Sequence, residues 1–119
     1  MTKIEYDKAI ADFNEAIRLD PENVNLYSTR AAANYVKKDY NKAIADFTKA
    51  IRLVPKNPLL YYRKACCYAL QKRSDLALEN LEQALELGLR DFKGMEKDSD
   101  LVSIRGDSRY KELLRKYDK

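Results

Sequence analysis

Histidine is absent from this chain of 119 residues, which removes the commonest general base and the commonest metal ligand. Glycine and proline occur three times each, too few to punctuate a many-stranded β fold. Gly88, Gly94 and Gly106 lie far apart, so no glycine-rich loop can cradle a phosphate, and no GxSxG nucleophile elbow occurs. No apolar run approaches the roughly 18 residues of a membrane span. The opening Met1-Thr2-Lys3-Ile4-Glu5-Tyr6 lacks the apolar stretch of a signal peptide. The only cysteines, Cys66 and Cys67, are adjacent. Neighbours on a helix point apart, so a bridge between them would be strained, and no second pair completes a metal site. Reduced, partly buried thiols and a cytoplasmic setting are expected. Neither cysteine has a base to activate it, and carboxylates such as Asp12 and Glu15 read as solvated helix charge. The expectation is no enzyme activity, no cofactor and no metal.

What is present favours helix. Apolar residues make up 45% of the chain, enough for a core, and Ala, Leu, Lys, Glu and Arg dominate. The net charge of +4 arises from 23 basic and 19 acidic residues. The two signs are interspersed, as on a solvated helical surface, rather than massed into a nucleic-acid-binding face. Neither a nucleic-acid nor a membrane partner is expected.

The organisation emerges when the sequence is slid along itself by 34 positions. Tyr6–Asn23 (YDKAIADFNEAIRLDPEN) and Tyr40–Asn57 (YNKAIADFTKAIRLVPKN) then agree at 13 of 18 positions. A weaker third copy, SDLALENLEQALEL, runs from Ser74 to Leu87. Ala9, Ala43 and Ala77 correspond, as do Ala16, Ala50 and Ala84, and Phe13, Phe47 and Leu81. Between the copies lies a second kind of segment, in which Tyr27 matches Tyr61, Arg30 matches Lys64 and Ala31 matches Ala65. Each segment spans about 13 to 15 residues with apolar positions at helical spacing. Pro21 and Pro55 end the helices before them, and Asn23 and Asn57 cap the next ones. Pro58 suits a first helical turn, and Asp39 and Ser74 are the expected N-caps of the other kind of helix.

Paired helices with this period resemble the tetratricopeptide repeat. Its signature stands here as Tyr27, Ala31, Ala43, Phe47, Ala50 and Pro55, and again as Tyr61, Ala65, Tyr68, Ala77, Leu81 and Ala84. The departures are Arg30 and Lys64 in place of Leu, Asn34 in place of an aromatic, and Leu89 in place of a third Pro. The resemblance implies an all-α, right-handed solenoid of antiparallel helix pairs closed by a C-terminal capping helix. As one domain over 1–119 it would comprise the second helix of an incomplete repeat (6–23), full repeats at 24–57 and 58–90, and a cap at 91–119.

The same resemblance implies a protein-interaction module or scaffold that binds a peptide or protein segment in a concave groove. The family's groove positions fall on Asn25, Ser28, Thr29, Ala32 and Val36, then on Leu59, Tyr62, Arg63, Cys66 and Leu70. Tyr and Arg are also enriched at binding hot spots. The runs around Tyr27 and Tyr61 are similar to co-chaperones that grip the C-terminal carboxylates of heat-shock chaperones through five Lys, Asn and Arg groups. Only Arg63 of that clamp is kept. Thr29 stands where an Asn would be and Leu59 where a Lys would be, so a degenerate chaperone-tail binder is one alternative.

Another alternative is self-association. The chain opens on the second helix of a pair, which leaves Ile10, Phe13 or Ile17 partly uncovered. Either the sequence is cut from a longer array or a second copy of the chain covers this face, and a tendency to dimerise through this helix is expected. From Gly88 the repeat fades. A short helix near 91–98, a tight turn or 3₁₀ piece through Asp100–Ile104 and a last helix from about Ser108, capped by Asp107 or Ser108, are expected. DSDLVSIRGDSRYKELL resembles a DxDLxxLRxDxRFxxLL run that terminates many such arrays.

Overall fold

The computed structural model describes residues 2–118, and among them all regular structure is helical. The chain divides into two compact units, one ending at Pro55 and the other beginning at Lys56.

The first unit holds α1 (Lys3–Leu19), α2 (Val24–Val36) and α3 (Tyr40–Leu53). Helix α1 starts three residues before the sequence-based expectation of Tyr6. Thr2 and Glu5 form a reciprocal capping box, each side chain taking the other's backbone N–H, which supports an extra turn. Asn23 caps α2 and Asp39 caps α3, as expected, each contributing about 1 kcal/mol. Helix α2 packs against α3 through Tyr27, Ala31, Ala43, Phe47 and Ala50, all buried. The alanines allow close helix approach and Phe47 fills the space between. The Tyr27 hydroxyl donates to the Pro21 carbonyl at 2.9 Å, fastening α2 to the loop before it. Helix α1 packs on α2, yet none of its residues is buried.

The second unit holds α4 (Pro58–Leu70), α5 (Ser74–Glu86), α6 (Phe92–Lys97), a 3₁₀ turn (Ser99–Leu101), α7 (Val102–Arg105) and α8 (Ser108–Tyr117). Asn57 caps α4, and Pro58 occupies its first turn. The expected cap at Ser74 is not found. Arg73 holds the cap position without a side-chain bond, and Ser74 is already helical. The end of α4 dictates this register, because the Lys72 and Arg73 amides donate back to the Ala69 and Tyr68 carbonyls. That pair of bonds is a Schellman motif, whose second residue beyond the helix cap is Arg73. Helix α2 closes identically through Lys38 and Asp39, and α5 through Gly88 and Leu89.

The core of the second unit joins Ala65, Ala77, Leu81 and Leu85 of α4 and α5 to Met95, Leu101, Ile104 and Tyr110 of the C-terminal segments. Helix α8 lies against α5, with Arg109 paired to Asp75 and Lys116 to Glu82. Asp107 rather than Ser108 caps α8.

Candidate functional site

On α2, Asn25, Thr29, Ala32 and Val36 follow one another at spacings of four, three and four, which sets them along one stripe of the helix. Asn25, Thr29 and Val36 are exposed, Val36 to 50%, while Ala32 and Ser28 are half-buried. The Thr29 hydroxyl donates to the Asn25 carbonyl, so the stripe presents methyl groups more than free donors. On α4 the matching stripe is Leu59, Arg63, Cys66 and Leu70. Leu59 is 50% exposed and Arg63 is exposed. Leu70 is half-buried.

Cys66 departs from the groove expectation. It is only 3% exposed, and its thiol lies 3.8 Å from Asp98 Oδ2. The segment after α5 returns across this part of α4 and covers it. Tyr62 is half-buried for the same reason, and its hydroxyl donates to Asp98 Oδ2 at 2.5 Å. Burial, reinforced by the Asp98 carboxylate, pushes the Tyr62 phenol well above its usual range. Burial likewise pushes up both thiols, Cys67 to about 12 and Cys66 further, with Asp98 and Asp100 adding to the effect on Cys66.

Where Leu59 and Tyr62 meet the returning segment there is a pocket of about 190 Å³. Leu89 and Met95 supply its other apolar surfaces, and Asp91 and Asp98 its carboxylates. Asp91 caps α6 by accepting from the Gly94 amide at 3.0 Å. A Cβ on residue 94 would sit 2.3 Å from that carboxylate, so glycine lets the aspartate fold over its helix. Asp98 begins the 3₁₀ turn by accepting from the Asp100 amide at 2.9 Å. Sequence reasoning missed this pocket. Asp91 and Asp98 fall there at the two ends of the short helix expected near 91–98, and nothing in the residue spacing marks which helix they return to.

Cys66 Sγ and carboxylate oxygens of Asp98 and Asp100 lie within 4.8 Å of one another. A metal would need the thiolate, whereas burial favours the neutral thiol, and Asp98 already accepts from Tyr62 and Asp100. The grouping therefore fits a hydrogen-bonded anchor for the returning segment better than a metal centre.

The third candidate surface is α1. Ile10, Phe13 and Ile17 are half-buried, while Ile4 and Leu19 are 67% and 69% exposed.

Family models for the TPR repeat and the tetratricopeptide repeat match residues 5–38, 24–57 and 47–79. No curated protein matches by sequence. Among solved structures, the TPR2B domain of yeast Sti1 in its pHsp70 complex is 28% identical with a TM-score of 0.66. That match covers 98% of this chain and 85% of the other. The TPR domain of Arabidopsis OM64 is 25% identical with a TM-score of 0.67, covering 94% and 83%. A chain of the CopN-Scc3 complex, at 22% identity and a TM-score of 0.70, shares the fold over 85% of this chain, which spans 59% of that one. With matched repeats running from residue 5 to residue 79 and these structural neighbours, the chain belongs to the tetratricopeptide repeat family.

Proposed function

We propose that the chain is a non-enzymatic protein-interaction module that binds a peptide or protein segment, with the exposed stripe of α2 in the first unit and that of α4 in the second each taken as a contact surface in its own right. The observation that carries this reading is the side-chain pattern of the two helices. Each buries the small residue of its family signature, Ala31 or Ala65, while leaving a large apolar residue, Val36 or Leu59, half exposed on the opposite stripe. Arg63 and Thr29 beside them supply polar contacts at the kind of mixed surface that proteins use for recognition. The TPR2B domain of Sti1, a 28% identical neighbour, is itself in a complex with pHsp70. The same reading takes 24–57 and 58–90 as its repeats, and a cytoplasmic setting suits its two buried free thiols.

Binding of a chaperone tail by its terminal carboxylates is the weaker form of this reading. Arg63 remains, but a leucine and a threonine replace a clamp lysine and asparagine, which removes most of the charge-assisted bonds.

The test is to pan a displayed random-peptide library against the folded chain. The selected peptides are then measured against Val36→Asp/Thr29→Arg on α2 and Leu59→Asp/Arg63→Glu on α4. Enriched peptides that lose affinity about tenfold or more with either variant support the module. Peptides indifferent to both variants, or no enrichment at all, contradict it.

A second reading rests on α1, which has no buried residue and exposes Ile4 and Leu19. A second copy of the chain would cover Ile10, Phe13 and Ile17. Sedimentation at rising concentration decides it: a dimer weakened by Phe13→Asp supports this reading, and a monomer throughout at high micromolar concentration removes it.

A further inference from the structure

We propose that the pocket beside α4 is a subsite for a lysine or arginine side chain of the bound partner, so that this module selects basic rather than acidic peptides. The inference rests on the interaction reading above and adds the chemistry of the residue recognised. The volume of about 190 Å³ is below the usual range of small-molecule sites, about 300–1,000 Å³, and suits a single side chain. Its surfaces are of two kinds. Leu59, Leu89, Met95 and the Tyr62 ring are apolar, and Leu59 is half exposed. The only ionisable groups among the lining residues besides the Tyr62 phenol are two carboxylates, Asp91 and Asp98.

A long aliphatic stem ending in a cation matches both kinds of surface. Its methylenes lie on Leu59 and Leu89 while its charged head meets carboxylate oxygens. Both carboxylates keep acceptor capacity. Asp91 accepts one bond at Oδ1 from the Gly94 amide, and an ionised carboxylate has about four acceptor sites. Asp98 is held in place by Tyr62 and Asp100, so its charge is positioned before a ligand arrives. An aliphatic residue alone would leave the carboxylates unpaired, and an acidic residue would meet two like charges with no cation among the lining side chains. Leucine at residue 59, where the carboxylate-clamp co-chaperones carry lysine, removes a positive charge from this very pocket.

The test uses the peptides selected by panning. The proposal expects a lysine or arginine at one fixed position. Replacing it with norleucine, which keeps the stem and removes the charge, should weaken binding about threefold or more. Asp91→Asn keeps the helix cap and should weaken the lysine peptide while leaving the norleucine peptide unchanged, with the thermal midpoint showing that the fold is intact. Three results overturn it: selected peptides without a fixed basic residue, binding that needs a free C-terminal carboxylate, or equal losses for the lysine and norleucine peptides on Asp91→Asn. In those cases peptides still bind, so the interaction reading stands. Failure to select any peptide overturns both.

Discussion

The Arg30 guanidinium grips the Asp46 carboxylate through two parallel bonds, Nε to Oδ2 at 2.8 Å and Nη2 to Oδ1 at 2.6 Å. A third nitrogen, Nη1, donates to Asn14 at 2.8 Å, so one side chain of α2 ties α3 and α1 to it. The Asp46 side chain is 8% exposed and that of Arg30 23%. Arg30→Leu installs the residue that is usual in the family but leaves a buried carboxylate unpaired. We expect it to cost about 2–3 kcal/mol, and adding Asp46→Ala should recover most of the loss. Urea unfolding of the single and double variants checks this, and equal stability of Arg30→Leu and the native chain would refute it.

Tyr110 carries a buried hydroxyl with no partner. It is 3% exposed and stands where the terminating motif carries phenylalanine. Tyr110→Phe removes the unpaired group and should raise stability by about 1 kcal/mol. A lower denaturation midpoint would mean that the hydroxyl has a partner in solution.

Lys38 and Lys72, 34 residues apart, sit in left-handed backbone with φ of 66° and 60°. Each is the turn residue of a Schellman motif, which glycine adopts without cost. Lys38→Gly and Lys72→Gly should each stabilise by about 0.5–1 kcal/mol, read as a rise in thermal midpoint.

Burial keeps both thiols protonated near neutral pH, Cys67 with its pKa pushed up to about 12. Iodoacetamide at pH 8 should therefore modify neither cysteine in the native chain and both in urea. Rapid native labelling of Cys66 would show that the segment covering it opens readily.

Asp107 caps α8 and binds Arg109, and Arg109 holds its pKa down at about 2. A depressed carboxylate contributes stability that is present above its ordinary value of 3.8 and is lost as pH falls through the folded value. A carbon-detected titration should place the Asp107 midpoint near 2, with α8 losing its cap between about pH 4 and pH 2. A midpoint near 4 would show that the ion pair does not persist.

Much of this fold is legible in the sequence because its signals are local. Asn23, Asp39, Asn57 and Asp107 cap as their positions imply, and the alanines that recur every 34 residues mark the packed faces of α2, α3, α4 and α5. Two local signals are easily passed over. Thr2 and Glu5 spell a capping box, and Lys38 and Lys72 hide two helix ends because the residue expected there is glycine. The site is less legible, because it depends on long-range return of the chain. Spacing sets Leu59, Tyr62, Arg63 and Cys66 on one side of α4. Only the path of residues 89–101 decides that Cys66 is covered, that Tyr62 is bonded to Asp98, and that Leu59 borders an acidic pocket. Arg30 is similar: it looks like a lapse from the repeat until Asp46 and Asn14 are seen on either side of it.

The most direct test of the central claim is to titrate a selected peptide into isotope-labelled chain and follow the backbone amide resonances. The account predicts shifts concentrated at residues 25–36 of α2 and 59–70 of α4, with Gly94 and Met95 moving beside the pocket. Shifts confined to α1 or α8, with α2 and α4 silent, would contradict it.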